Sequence, residues 1–178
     1  VITPTRPTTV KTRVIARHQQ IVRFDYEDES DVDDTVEAEL GERVASLAAS
    51  ADVLIVEDYN KGVIVPGVIE AALTASSHYG LPSIVDPKGR NFFAFGGVTI
   101  FKPNAKELED ALGNSIYPDE ADWMEATRVR LGCDILLVTL GERGVGGQEG
   151  GGGHFRVPAV ARSVYDVSGA GDTVTAVV

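Results

Sequence analysis

Thr, Val and Ile crowd residues 8–25 and alternate in part with polar side chains, a spacing that predicts extended structure. From Ser30 the rhythm changes. Val32, Val36, Leu40, Val44 and Leu47 recur at helical spacing, and Ser30 with Asp33 predicts the capping pair of that helix. Beyond residue 52, short apolar runs at 52–56, 83–85, 98–101 and 134–138 alternate with helical patterns at about 66–79, 104–112 and 118–131. Because the runs are continuous rather than alternating, they fit parallel strands covered on both faces. The expected class is α/β, with a doubly wound, mainly parallel sheet. A glycine-rich stretch at 141–153 predicts a hairpin or a loose loop between Val145 and Phe155. The final GAGDTVTAVV opens a helix that stops after about two turns, so the chain is expected to be an incomplete piece of one domain.

Parallel sheets bind ligands beyond the carboxyl ends of their strands. Here those ends run into Glu57-Asp58-Tyr59-Asn60-Lys61-Gly62, Asp86-Pro87-Lys88-Gly89, Lys102-Pro103-Asn104 and Thr139-Leu140-Gly141, all along one expected rim. The sharpest local signal is Asp166-Val167-Ser168-Gly169-Ala170-Gly171-Asp172. Its small residues open a helix, so unencumbered amides can gather an anion, and Asp172 lies in the first turn beside them. Asp172 is then either a general base next to a phosphate cradle or a carboxylate that complements the helix dipole. Asn104-Ala105-Lys106-Glu107 likewise has two readings. Asn104 and Glu107 share a face that could hold the waters of Mg²⁺, and the same spacing is a capping box. Thr139, Gly141 and Gly144 form a strand end and tight turn that either admits a nucleotide or is a turn alone.

Composition narrows the setting. Hydrophobic residues make up 43% of the 178, and charged residues 24%, as in ordinary globular proteins. The net charge of -11 argues against nucleic acid as a partner, and no apolar run is long enough for a membrane. One cysteine, Cys133, allows no internal disulfide and suits the cytoplasm, with an inert buried thiol expected. His18, His78 and His154 make no metal-binding spacing, and no Walker A sequence occurs. Against the acidic background, Lys11, Arg13, Arg17 and Arg23 stand out in the first extended segment. Lys11 and Arg13 project from one face of a strand, either to hold a substrate phosphate or as surface charge.

The 166–172 motif resembles the signature of ribokinase-like carbohydrate kinases, the PfkB family. Asn104-Ala105-Lys106-Glu107 is similar to that family's Asn-x-x-Glu motif, and Thr139-Leu140-Gly141 with Gly144 to its nucleotide-side turn. Within the family, the stretches 9–13, 18–20, 58–62, 85–90 and 164–166 resemble the heptose 7-phosphate kinases. The resemblance implies a ribokinase-like fold, with 8–25 as lid-like strands and 30–178 as the nucleotide-side core. It implies ATP and Mg²⁺ as cofactors and a sugar phosphate as substrate, phosphorylated at its anomeric hydroxyl. Asp172 would be the base, and the amides of Gly169, Ala170 and Gly171 the anion hole. Asn104, Ala105, Lys106 and Glu107 would serve ATP, with Asn104 and Glu107 on Mg²⁺ through water. Thr139, Gly141 and Gly144 would line the nucleotide, and Lys11, Arg13, Asp58, Lys61 and Lys88 the sugar. Assembly as a homo-oligomer stays open. Ser168 stands where the family has Thr, and Glu57 and Asn60 replace smaller residues. The family's domain is longer at both ends, so the piece alone is not expected to be a competent enzyme. Another sugar or nucleoside kinase of the family, or a non-catalytic nucleotide-binding fragment, are the competing readings.

Overall fold

A computed structural model describes residues 1–3, 6–17, 19–160 and 169–178. His18 and the 161–168 segment, with Asp166, Val167 and Ser168 of the glycine-rich motif, lie outside the described residues. Strands β1 (Val10–Ala16) and β2 (Gln19–Tyr26) pair antiparallel in a sheet of their own. The remaining strands form one six-stranded sheet in sequential order: β3 (Leu54–Glu57), β4 (Ser83–Asp86), β5 (Ile100–Phe101), β6 (Ile135–Thr139), β7 (Val145–Glu149) and β8 (Gly153–Val157). The first four run parallel. The last two turn back as antiparallel ribbons, so the glycine-rich stretch is a hairpin and not a loose loop.

Five helices complete the chain: α1 (Asp34–Ala48), α2 (Pro66–Tyr79), α3 (Ala105–Leu112), α4 (Ala121–Leu131) and α5 (Ala170–Val177). The cap of α1 differs from the expected pair. Asp33 alone is the N-cap, accepting from the amides of Thr35 and Val36 at 3.1 and 3.0 Å. Ser30 turns away and donates its amide and hydroxyl to Asp28 at 2.8 and 2.6 Å. A cap must sit directly before the first helical residue for the orphan amides to be in reach, and only Asp33 does. Helix α4 starts later than its pattern, because residues 117–120 close a turn in which the Glu120 amide donates to the Tyr117 carbonyl at 3.0 Å.

The core lies where α2, α3 and α4 meet the middle strands, with Val85, Phe101, Leu108, Met124, Leu136 and Val138 shut off from water. All four residues of β4 are buried, as expected of a central strand covered on both sides. β3, at the edge, leaves Ile55 exposed. Cys133 is buried in this core, and burial pushes its thiol up to about 11, so the sulfur stays protonated and inert. Among the described residues no helix is long and apolar enough to cross a membrane.

The loop after β3 is fixed by contacts that bear on the site. Asp58 is 3% exposed, and its carboxylate accepts from the Asn60 amide at 2.7 Å and from Asn91 Nδ2 at 3.0 Å. Asn60 and Gly62 take left-handed φ values of 56° and 68°. At Gly62 a side chain has no room, since a Cβ there would fall 1.8 Å from the Ser30 carbonyl oxygen. Gly62→Ala in the full-length protein should therefore lower stability by about 2–4 kcal/mol, combining backbone strain with a steric clash. Urea unfolding of the variant checks this, and an unchanged midpoint would contradict the packing of residue 62 against Ser30.

Candidate active site

Parallel register aligns the strand ends. Glu57 pairs with Asp86, Val85 with Phe101 and Phe101 with Leu136, so the segments after these strands open on the same rim. Asp86, Lys102, Asn104 and Thr139 form one wall of a cleft of about 450 Å³, and Ala170, Gly171 and Asp172 form the other. Gly141 and Gly144 close its end. A parallel bridge between Asn104 and Thr139 ties the two candidate nucleotide-side elements together.

Gly169 precedes α5 with φ 77°, a conformation that leaves the first amides of the helix free of any side-chain cap. A Cβ on Gly171 would lie 3.8 Å from both Asp86 Oδ2 and Lys102 Nζ, so the turn approaches that pair closely. Lys102 is 1% exposed, and its ammonium donates to Asp86 Oδ2 at 2.7 Å. Carboxylate oxygens of Glu57, Asp86 and Asp172 lie within 4.8 Å of one another. Burial, then the charges of Asp86 and Asp172, hold the Glu57 carboxyl above its ordinary range, against a hydrogen bond from Thr175 and the attraction of Lys102. The Tyr59 hydroxyl donates to Asp172 Oδ1 at 3.2 Å.

The capping box at 104–107 is present in full. The Glu107 amide donates to Asn104 Oδ1 at 2.9 Å, and the Asn104 amide to Glu107 Oε2 at 2.8 Å. Lys88 completes the set by donating to Glu107 Oε1. Burial works against the Lys88 ammonium, but Glu107, Asp86 and Glu57 outweigh it and raise its pKa. An ionised carboxylate accepts about four hydrogen bonds, so the cap uses only part of the capacity of Glu107. These hard oxygen donors beside the cleft fit Mg²⁺ held through water. Lys106 points elsewhere, to Asp110 at 2.9 Å, and Ala105 packs on the core.

A second cavity of about 420 Å³ adjoins Glu57 and Tyr59, and Thr9, Lys11, Glu27 and Lys61 also line it. Lys61 donates to Glu27 at 2.5 Å and also to Glu29. Asp58 reaches this cavity, yet one carboxylate oxygen accepts from the Asn60 amide of its own loop and the other from Asn91 Nδ2, after β4. Arg13 lies opposite Arg23 on the two-stranded sheet and lines neither cavity, while Lys88 belongs to the first cleft and not to the second. Sequence reasoning passed over Lys102 and Tyr59 as site residues. Their one legible signal was position, directly after a strand whose end faces the rim.

Comparison with known proteins accords with this architecture. The description "pfkB family carbohydrate kinase" matches residues 1–178, and the chain belongs to that family. It is similar to the bifunctional protein HldE of Pelobacter propionicus, 42% identical over 97% of this chain and 36% of that protein. The HldE of Geotalea uraniireducens is 43% identical over 98% of this chain, again across 36% of its length. The chain thus spans little more than a third of these curated relatives. Its ribokinase-like fold is shared with phosphofructokinase-2 from Escherichia coli, at TM-score 0.74 and 22% identity over 94% of this chain and 56% of that one. Arabidopsis thaliana ribokinase, solved with ribose and ATP, matches at TM-score 0.66 and 21% identity over 87% of this chain and 50% of its own.

Burial, and then the neighbouring carboxylates, make Glu57 titrate against folding. Its folded-state pKa lies above the unfolded value, so its contribution is fully present at acid pH and is lost as pH rises through the folded pKa. Glu57→Gln removes that loss. In urea unfolding of the full-length protein, the variant should gain on the parent as pH rises above the ordinary glutamate range. A stability difference that stays constant with pH would contradict the crowding of these carboxylates.

Proposed function

We propose that this chain carries the nucleotide side, and part of the sugar side, of an ATP-dependent kinase acting on the anomeric hydroxyl of heptose 7-phosphate. The observation that carries the reading is Asp172, exposed in the cleft on the first turn of α5, beside uncapped amides and across from Asn104 and Glu107. Phosphoryl transfer needs positioning and charge stabilisation more than covalent chemistry, and those are what this arrangement offers. The sugar hydroxyl gives its proton to Asp172 while its oxygen bonds to the γ-phosphorus. The bond from that phosphorus to the bridging oxygen breaks, and ADP leaves with the electron pair. The amides of Gly169, Ala170 and Gly171 hold the transferring group, and Thr139, Gly141 and Gly144 border the nucleotide. Asn104 and Glu107 would hold Mg²⁺, which neutralises phosphate charge when bound.

The heptose phosphate is supported by the second cavity, where Lys11 and Lys61 bring ammonium groups to the side of Asp172 away from the nucleotide. The likeness to the HldE proteins over nearly the whole chain agrees with it. The single buried cysteine and the use of ATP agree with a reaction in the cytoplasm.

In the full-length protein, Asp172→Asn should lower turnover by about 10² to 10⁴-fold with ATP affinity little changed. Near-native turnover would remove Asp172 as the base. Replacing Lys11 and Arg13 together by Ala should raise KM for heptose 7-phosphate about tenfold or more and spare KM for ATP, the loss being carried by Lys11, which lines the second cavity. An unchanged sugar KM would return both to surface charge and favour a different sugar.

A further inference from the structure

Asp172 sits on the first turn of a short helix with its carboxylate exposed, so nothing in the helix itself decides which oxygen faces the reacting hydroxyl. Among the described residues its side-chain hydrogen bond is to Tyr59, whose hydroxyl donates to Oδ1 at 3.2 Å. The other oxygen, Oδ2, lies 3.9 Å from the point where a side chain on Gly169 would begin, towards the glycine turn. A donor on Oδ1 therefore leaves Oδ2 as the free acceptor beside the anion-binding amides.

Tyr59 is 52% exposed, yet its backbone is fixed on both sides. The Asp58 amide donates to the Asp86 carbonyl at 3.1 Å, the Asp58 carboxylate is held by Asn60 and Asn91, and Asn60 is locked in a left-handed turn. The ring is also covered from the other sheet, where the Lys11 ammonium of β1 lies 6.0 Å from its centroid, within the range of a cation–π contact. Burial, then the charge of Asp172, hold the phenol above its ordinary range, so the hydroxyl remains a donor at neutral pH.

We propose that Tyr59 is a positioning residue for Asp172, and that Lys11 seats the Tyr59 ring from the two-stranded sheet, joining closure over the sugar to orientation of the base. The inference rests on the reading of Asp172 as that base. It assigns Tyr59 no contact with the reacting atoms. Its effect passes through one carboxylate oxygen.

The test is a double-mutant cycle in the full-length protein, with Tyr59→Phe, Asp172→Asn and the pair, assayed with ATP and heptose 7-phosphate. Phe keeps the ring, and with it the Lys11 contact, and removes only the donor. Tyr59→Phe should lower kcat about tenfold, with both KM values within about twofold, because a misaimed base slows chemistry without weakening binding. On the Asp172→Asn background the same change should cause no further loss, since two residues acting through one step are not additive. A native kcat in Tyr59→Phe overturns the proposal. So does a raised sugar KM with kcat kept, which would make Tyr59 a sugar contact. A full second loss in the double variant would show independent action and overturn it as well. Near-native turnover in Asp172→Asn alone is a separate result, and it strikes the base assignment itself.

Discussion

Asp86 and Lys102 end neighbouring parallel strands, and both are shut off from water, with their charged groups 2.7 Å apart. Burying either alone would carry a penalty of several kcal/mol, and removing one partner would leave the other uncompensated. The pair has consequences on all sides. It supplies the positive charge that lets Glu57, Asp86 and Asp172 crowd together, and it presents a compact surface against which Gly171 packs without a side chain. The first turn of α5 comes to within van der Waals contact of this pair at residue 171, over a charge that is balanced beneath it. Position of the cleft wall, local charge and the placement of Asp172 thus hang on one ion pair at the end of β4 and β5.

Much of the fold was legible in the chain because parallel strands leave a plain mark. The runs at 83–85 and 134–138 have few polar interruptions, since both faces of β4 and β6 are covered. β5 was overdrawn at 98–101: only Ile100 and Phe101 make the ladder, while Val98 is buried through packing and not through strand pairing. The capping box of α3 was readable because Asn and Glu three apart act locally. Long-range pairings carry no such mark. Tyr59 and Asp172 are 113 residues apart, and nothing in either neighbourhood names the other. Lys102 was passed over for a different reason, because lysine is rarely buried and a polar strand end reads as solvated. Asp58 shows the reverse, a carboxylate in a promising motif whose oxygens are taken by structure, one by its own loop and one by Asn91 after β4.

Glu57 and Tyr59 of the second cavity come up against Asp172 of the first, and the walls of the two cavities differ in kind. The first is built on strand ends and a helix start, both braced by the core. The second borrows one wall from Lys11 of β1 and Glu27 after β2, and among the described residues β1 and β2 pair with each other and with no strand of the large sheet. An isolated two-stranded ribbon is only marginally stable in water. Here it leaves Ile15, Phe24 and Tyr26 largely open to solvent. Precision therefore resides in the first cavity, and adaptability in the second.

Arg6 and Lys61 fasten the base of that ribbon. The Arg6 guanidinium donates to the carbonyls of Ser30 and Asp28 at 2.6 Å each, and to that of Lys61, while the Lys61 ammonium takes Glu27 and Glu29. Mechanically this makes the ribbon a lever pinned at one end. Its seven- and eight-residue strands reach roughly 25 Å from the pin. A swing of about 10° sweeps the far end of β1 through some 4 Å but moves Lys11, one residue from the near end of β1, by less than about 1 Å. The tip can travel while the fulcrum, where Lys11 meets Tyr59, keeps its place.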